Sequence, residues 1–133
     1  MNQTSLIHRY DMDRELCEAL ISAWDELSWK VPKQLSDSVM QILGGEDNLK
    51  SAMILGQKEL GAIIESDELY IGIVYLKPGT NYPTHAHDAT ELYHTICGDA
   101  FWGPSMKHLK IVEPNKFVLH PSTMPHAFKV HKY

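Results

Sequence analysis

The densest chemistry in the chain lies in one stretch, Gly79-Thr-Asn-Tyr82-Pro-Thr-His85-Ala-His87-Asp-Ala-Thr-Glu91-Leu-Tyr93. Two imidazoles and a carboxylate close together are donors for a divalent cation. In a strand, side chains two apart project to the same face, so His85 and His87 can aim at one point. Glu91 shares their parity and reaches that point after a tight bend. His126 follows a proline-rich turn far along the chain and can close the coordination sphere from a second strand. Three neutral imidazoles and one carboxylate suit Fe, Mn, Co, Ni or Zn, and they leave positions open for water or substrate. The expected centre is one divalent transition metal on His85, His87, Glu91 and His126.

Such donors need a rigid frame, and the second half of the chain reads as one. Runs rich in Ile, Val, Tyr and Phe are cut by Pro78-Gly79, Gly103-Pro104 and Pro114-Asn115. They predict strands at Leu69–Lys77, Leu92–Cys97, Ala100–Trp102, His108–Val112, Phe117–His120 and Ala127–Val130. Short, closely spaced strands with such turns point to an antiparallel sandwich or barrel. Cys97 reads as a small buried hydrophobe in its strand. Tyr93 shares the parity of Glu91 and faces the same point, whereas His94 has the opposite parity and faces away. His8, His108, His120 and His131 have no identifiable partners and are assigned no role.

The N-terminal part reads as helix. Leu16, Leu20, Trp24 and Leu27 form one amphipathic stripe, with Asp11 as N-cap, Asp13 and Glu15 in the first turn, and Pro32 limiting the far end. A second helix places Leu35, Val39, Ile42 and Leu43 on one face and stops at Gly44-Gly45. A third helical piece is read around Asn48 to Leu55. The expectation is a single domain over 1–133, mostly helical over 1–58 and a β-barrel over 59–133.

Composition narrows the function. Twelve Lys+Arg against seventeen Asp+Glu give a net charge of −5. Without a basic stripe, such a chain is poorly suited to gripping phosphate backbones. Nucleic acid is not the expected partner. No apolar run is long enough to cross a bilayer, and the first residues show no secretory pattern. Two cysteines, Cys17 and Cys97, are too few for a disulfide framework. The expected location is cytoplasmic, with no membrane partner.

At the donor residues the chain resembles the cupin superfamily. The first cupin motif, G-x5-H-x-H-x3-E-x6-G, is matched by Gly79, His85, His87, Glu91 and Gly98. The second, P-x-G-x2-H, is matched by Pro121 and His126, with Thr123 where glycine is usual for a positive φ. The resemblance implies a double-stranded antiparallel β-barrel, a jelly roll, with the metal inside. Within that superfamily, Tyr82-Pro-x-His85-x-His87-x3-Glu91-x-Tyr93 followed by Gly98-Asp-Ala100-Phe-Trp102 looks like the cupin-type dimethylsulfoniopropionate (DMSP) lyases, which also place helices ahead of the barrel.

That narrower resemblance implies a metal-dependent carbon–sulfur lyase acting on a small carboxylate by β-elimination, releasing acrylate and dimethyl sulfide. It places Tyr82 and Tyr93 beside the metal, one of them the catalytic base. Tyr93 is the residue whose parity fits the base. A neighbouring cation lowers a phenol's pKa, which makes a tyrosinate base reasonable. Tyr82 and Trp102 would offer aromatic faces to the sulfonium of the substrate. Two other readings stand beside it: a metal cupin of different activity, a dioxygenase or isomerase, and a cupin that binds a small ligand without turning it over. Cupin barrels usually continue with a further strand after the second-motif histidine, whereas Tyr133 ends this sequence seven residues after His126. The expectation is a short barrel whose open edge is covered in a homodimer, or a fragment of a longer chain.

Overall fold

The computed structural model describes residues 14–31 and 37–131. Among the described residues, two short α-helices, α1 (Arg14–Ala23) and α2 (Asp37–Leu43), precede nine strands. The strands are β1 (Leu49–Gly56), β2 (Ile64–Glu65), β3 (Ile71–Leu76), β4 (Asn81–His85), β5 (Glu91–Thr95), β6 (Ala100–Gly103), β7 (Lys110–Val112), β8 (Lys116–His120) and β9 (His126–Val130). Three sheets result, in the orders β2-β1-β3, β4-β9-β6-β7 and β5-β8. Every pairing is antiparallel except β1 with β2. This is the mainly β cupin barrel with helices ahead of it that the motifs implied.

The turns follow from their residues. Thr80 N–H donates to the Lys77 carbonyl at 3.1 Å, closing Lys77-Pro78-Gly79-Thr80. Proline is second and Gly79, at φ 86°, is third, the type II pattern that delivers the chain into β4. A Cβ on Gly103 would collide with the His108 carbonyl, so glycine is required where β6 meets the turn leading to β7. Among the described residues, no helix is long and apolar enough to cross a membrane.

Three expectations need correction. The Asn48–Leu55 piece is strand β1, not helix. Its backbone pairs with β3 from Leu49↔Leu76 onward, and Leu49 and Ala52 are buried at 2% and 1% exposure. Partners distant in sequence override the local preference, and the strand-bearing region begins at Leu49. The first helix stops at Ala23, and the chain turns so that the Trp29 indole donates to the Trp24 carbonyl at 3.2 Å; Leu27 is buried from outside the helix. In α2, Leu43 is buried but Ile42 is exposed, so the two do not share an inward face. Asp11, Asp13, Pro32 and Leu35 lie outside the described residues. A smaller correction concerns Cys97, which is exposed beyond the end of β5.

Candidate metal centre

Two sheets face each other across the site, and each contributes a cross-strand pair. His85, the last residue of β4, lies opposite His126, the first of β9. Glu91, the first of β5, lies opposite His120, the last of β8. His87 belongs to neither sheet. β4 ends at His85, so His87 sits in the loop to β5, and the strand parity used to align it with His85 does not apply. The loop is held in place instead: Thr123 N–H donates to the His87 carbonyl at 2.8 Å, and Ser122 N–H to Thr90 Oγ1 at 3.2 Å. The turn that launches β9 thus also fixes His87.

The hydrogen bonds set the histidine tautomers. Nδ1–H of His85 donates to the Pro83 carbonyl at 2.8 Å, of His126 to the Met124 carbonyl at 2.9 Å, and of His87 to the Ala89 carbonyl at 3.1 Å. A carbonyl can only accept, so the proton is on Nδ1 and each neutral ring keeps its Nε2 lone pair for the cavity. His126 is 1% exposed, and its Nε2 has no hydrogen-bond partner among the described residues, with Glu91 Oε2 3.7 Å away. His87 Nε2 stands 3.0 Å from the same carboxylate oxygen. Two acceptors at that distance need a cation between them, a proton or a metal. Donor atoms of His85, His87 and His126 lie within 4.8 Å of one another, as do those of Glu91, His120 and His126. The structure thus brings the four predicted donors together as two overlapping groups that share His126, with Glu91 grouped with His120 rather than with His85 and His87. Imidazoles with hydrogen-bonded outer nitrogens beside a carboxylate are donor types that fit a divalent transition metal.

The aromatic residues surround this cluster. Tyr82 lies 4.5 Å from the His85 ring and stacks on Phe128 at 4.7 Å. Tyr93 projects from β5 on the same side as Glu91, close enough for the carboxylate to act on its phenol. The Trp102 ring is 4.9 Å from Tyr93 and 5.3 Å from His120, and its buried Nε1 has no partner among the described residues. His94 is on the opposite side of β5, stacked on Phe117.

Burial dominates the electrostatics. It pushes the Tyr93 phenol well above its ordinary pKa, and the neighbouring Glu91 carboxylate adds to the rise. Tyr82 is raised for the same first reason, with Glu91 second. Burial holds His85 below the usual imidazole value against the opposing hydrogen bond to Pro83. It also lowers His120, where neighbouring His126 acts in the same direction. His120 is the residue that sequence reasoning missed. Its strand was read correctly, but the register that sets it against Glu91 is not a local property.

A family model described as dimethylsulfoniopropionate lyase matches residues 4–132. The chain belongs to the DMSP lyase family. A curated relative, the dimethylsulfoniopropionate lyase DddQ of Ruegeria pomeroyi DSS-3, is 29% identical over 116 residues, covering 86% of this chain and 54% of the relative. The crystal structure of that DddQ superposes with a TM-score of 0.67 at 24% identity, covering 96% of this chain and 64% of the other. A second crystal structure, described as DMSP lyases RdDddP and RnDddQII, gives a TM-score of 0.70 at 21% identity, covering 99% and 60%. These superpositions establish a shared fold. The chain spans about half the length of the curated DMSP lyase it matches.

Proposed function

We propose that the chain is a metal-dependent lyase that cleaves dimethylsulfoniopropionate, or a closely related small carboxylate, to acrylate and dimethyl sulfide. His85, His87, Glu91 and His126 would hold one divalent transition metal. When bound, the cation supplies Lewis acidity and positive charge, stabilising charge that develops on the substrate carboxylate and drawing down the phenol pKa of Tyr93.

The protein's own groups carry the proton. Glu91 would lie beside the Tyr93 phenol on the same face of β5. As phenolate, Oη takes the proton from the carbon beside the carboxylate. The electron pair of that C–H bond becomes the new C=C bond, and the C–S bond breaks with its pair leaving on sulfur. Tyr93 then returns its proton to solvent. Tyr82 and Trp102 offer ring faces to the sulfonium.

The observation that carries this reading is the placement of Tyr93 beside Glu91, a carboxylate of the donor cluster, on one face of β5 in a chain of this family. Metal-loaded protein given DMSP should release dimethyl sulfide into the headspace and acrylate into solution. Loaded protein that releases neither would overturn the proposal. The same proposal includes a homodimer. Its support is the outward strip of Leu92, Phe117 and Leu119, each more than half exposed, and sedimentation velocity tests it.

A further inference from the structure

His120 is 3% exposed, and its ring lies on that of His126 at 4.0 Å and 10°, close to parallel. The other cluster histidines have Nδ1 tied to a carbonyl, but His120 Nδ1 is buried with no hydrogen-bond partner among the described residues. Buried polar atoms are nearly always satisfied, so one that is not, on a ring grouped with metal donors, calls for an explanation. Its place in the topology supplies one. His120 stands opposite Glu91 on β5/β8 as His126 stands opposite His85 on β4/β9. Donor atoms of Glu91, His120 and His126 lie within 4.8 Å of one another. Two donors across one transition ion are separated by about 4.2 Å, from metal–nitrogen bonds of about 2.1 Å. His126 Nε2 and Glu91 Oε2, 3.7 Å apart, are already inside that span.

We propose that His120 is a metal ligand, forming with Glu91 and His126 a second donor set that overlaps the first. A single divalent transition ion then has two alternative seats. One is formed by His85, His87 and His126, the first two only half-buried. The other is deeper, between the two most buried imidazoles of the cluster. This rests on the reading that the cluster holds a cation at all.

The test is a CoCl2 titration of chelator-stripped protein, following affinity by equilibrium dialysis and coordination by visible absorption. His120→Phe keeps a flat buried ring against His126 but removes the donor. It should weaken Co2+ binding about tenfold or more and change the absorption band. His85→Ala/His87→Ala should retain measurable Co2+ binding, and adding His120→Phe to that double variant should abolish it. His120→Gln, with no imidazole, should behave as His120→Phe does, and thermal unfolding without metal identifies any variant that fails to fold. His120→Phe with wild-type affinity and spectrum would overturn the second seat alone, as would a double variant that binds no better than the triple. Wild-type protein that takes up no Co2+ would overturn the metal reading beneath it.

Discussion

The two walls of the site are built differently. The β4/β9 wall belongs to a four-stranded sheet in which β9 is paired on both sides, and His126, Ala127 and Phe128 are all nearly inaccessible, at 1%, 0% and 4%. The β5/β8 wall is a two-stranded ladder. Its inner face carries Glu91, Tyr93 and His120, while Leu92, Phe117 and Leu119 on its outer side remain exposed at 64%, 63% and 57%. Two strands alone are marginal in water, so this wall depends on what packs against it. The first wall can seat donors by packing. The second presents the carboxylate and the phenol that the proposed elimination uses.

Damage to each wall should have a different signature. The largest effect is expected from His126→Ala, which should bring metal content close to zero and lyase turnover with it, measured as metal per chain beside dimethyl sulfide release. Retained metal at wild-type stoichiometry would break the assignment of the first wall. Tyr93→Phe should leave fold and metal content intact and slow turnover by about 10²–10⁴-fold, the usual scale of a lost general base. Full activity in that variant would remove the second wall from the chemistry.

A smaller effect tests the turn entering β9. Met124 N–H donates to the Pro121 carbonyl at 3.1 Å, and Thr123, third in the turn, has φ 62°. The turn before β4 has the same form with Gly79 at that place, so a β-branched residue here holds a conformation that glycine adopts freely. Thr123→Gly should stabilise the protein by about 0.5–1 kcal/mol in urea unfolding, with the lost hydrogen bond from Thr123 Oγ1 to the Ser122 carbonyl limiting the gain. A destabilised variant would mean that the threonine side chain matters more than the strain.

The smallest effect is in pH. His85 and His120 titrate below the unfolded value of about 6.5 when folded. Just below that value the unfolded chain binds more protons, so stability of metal-free protein falls as pH drops through about 6.5. Urea midpoints across this range should show the loss, and His120→Phe should make it shallower. An unchanged slope would mean that His120 contributes nothing to the linkage.

Much of the site was legible because its signals are local. The spacing from Gly79 through Gly98 identifies the first motif, parity places Glu91 and Tyr93 on one side of β5, and Thr123 stands out as the non-glycine in the second motif. His87 was read as part of a strand, yet it reaches the cluster from a loop held by backbone bonds of Ser122 and Thr123. No local pattern encodes those partners. The strand at Leu49–Gly56 was missed for a related reason: its pairing with β3 lies across a gap in sequence that helix periodicity cannot see.

By itself, the sequence determined the donor types, the turns that punctuate the barrel and the family, since these depend on residue identity and short-range spacing. Only the tertiary structure decided register. Setting β8 against β5 turns His120 from an unassigned histidine into the partner of Glu91, and burial lifts the Tyr93 phenol away from its ordinary value. Both depend on which strands lie beside each other and how much water they exclude, and those are properties of the folded whole.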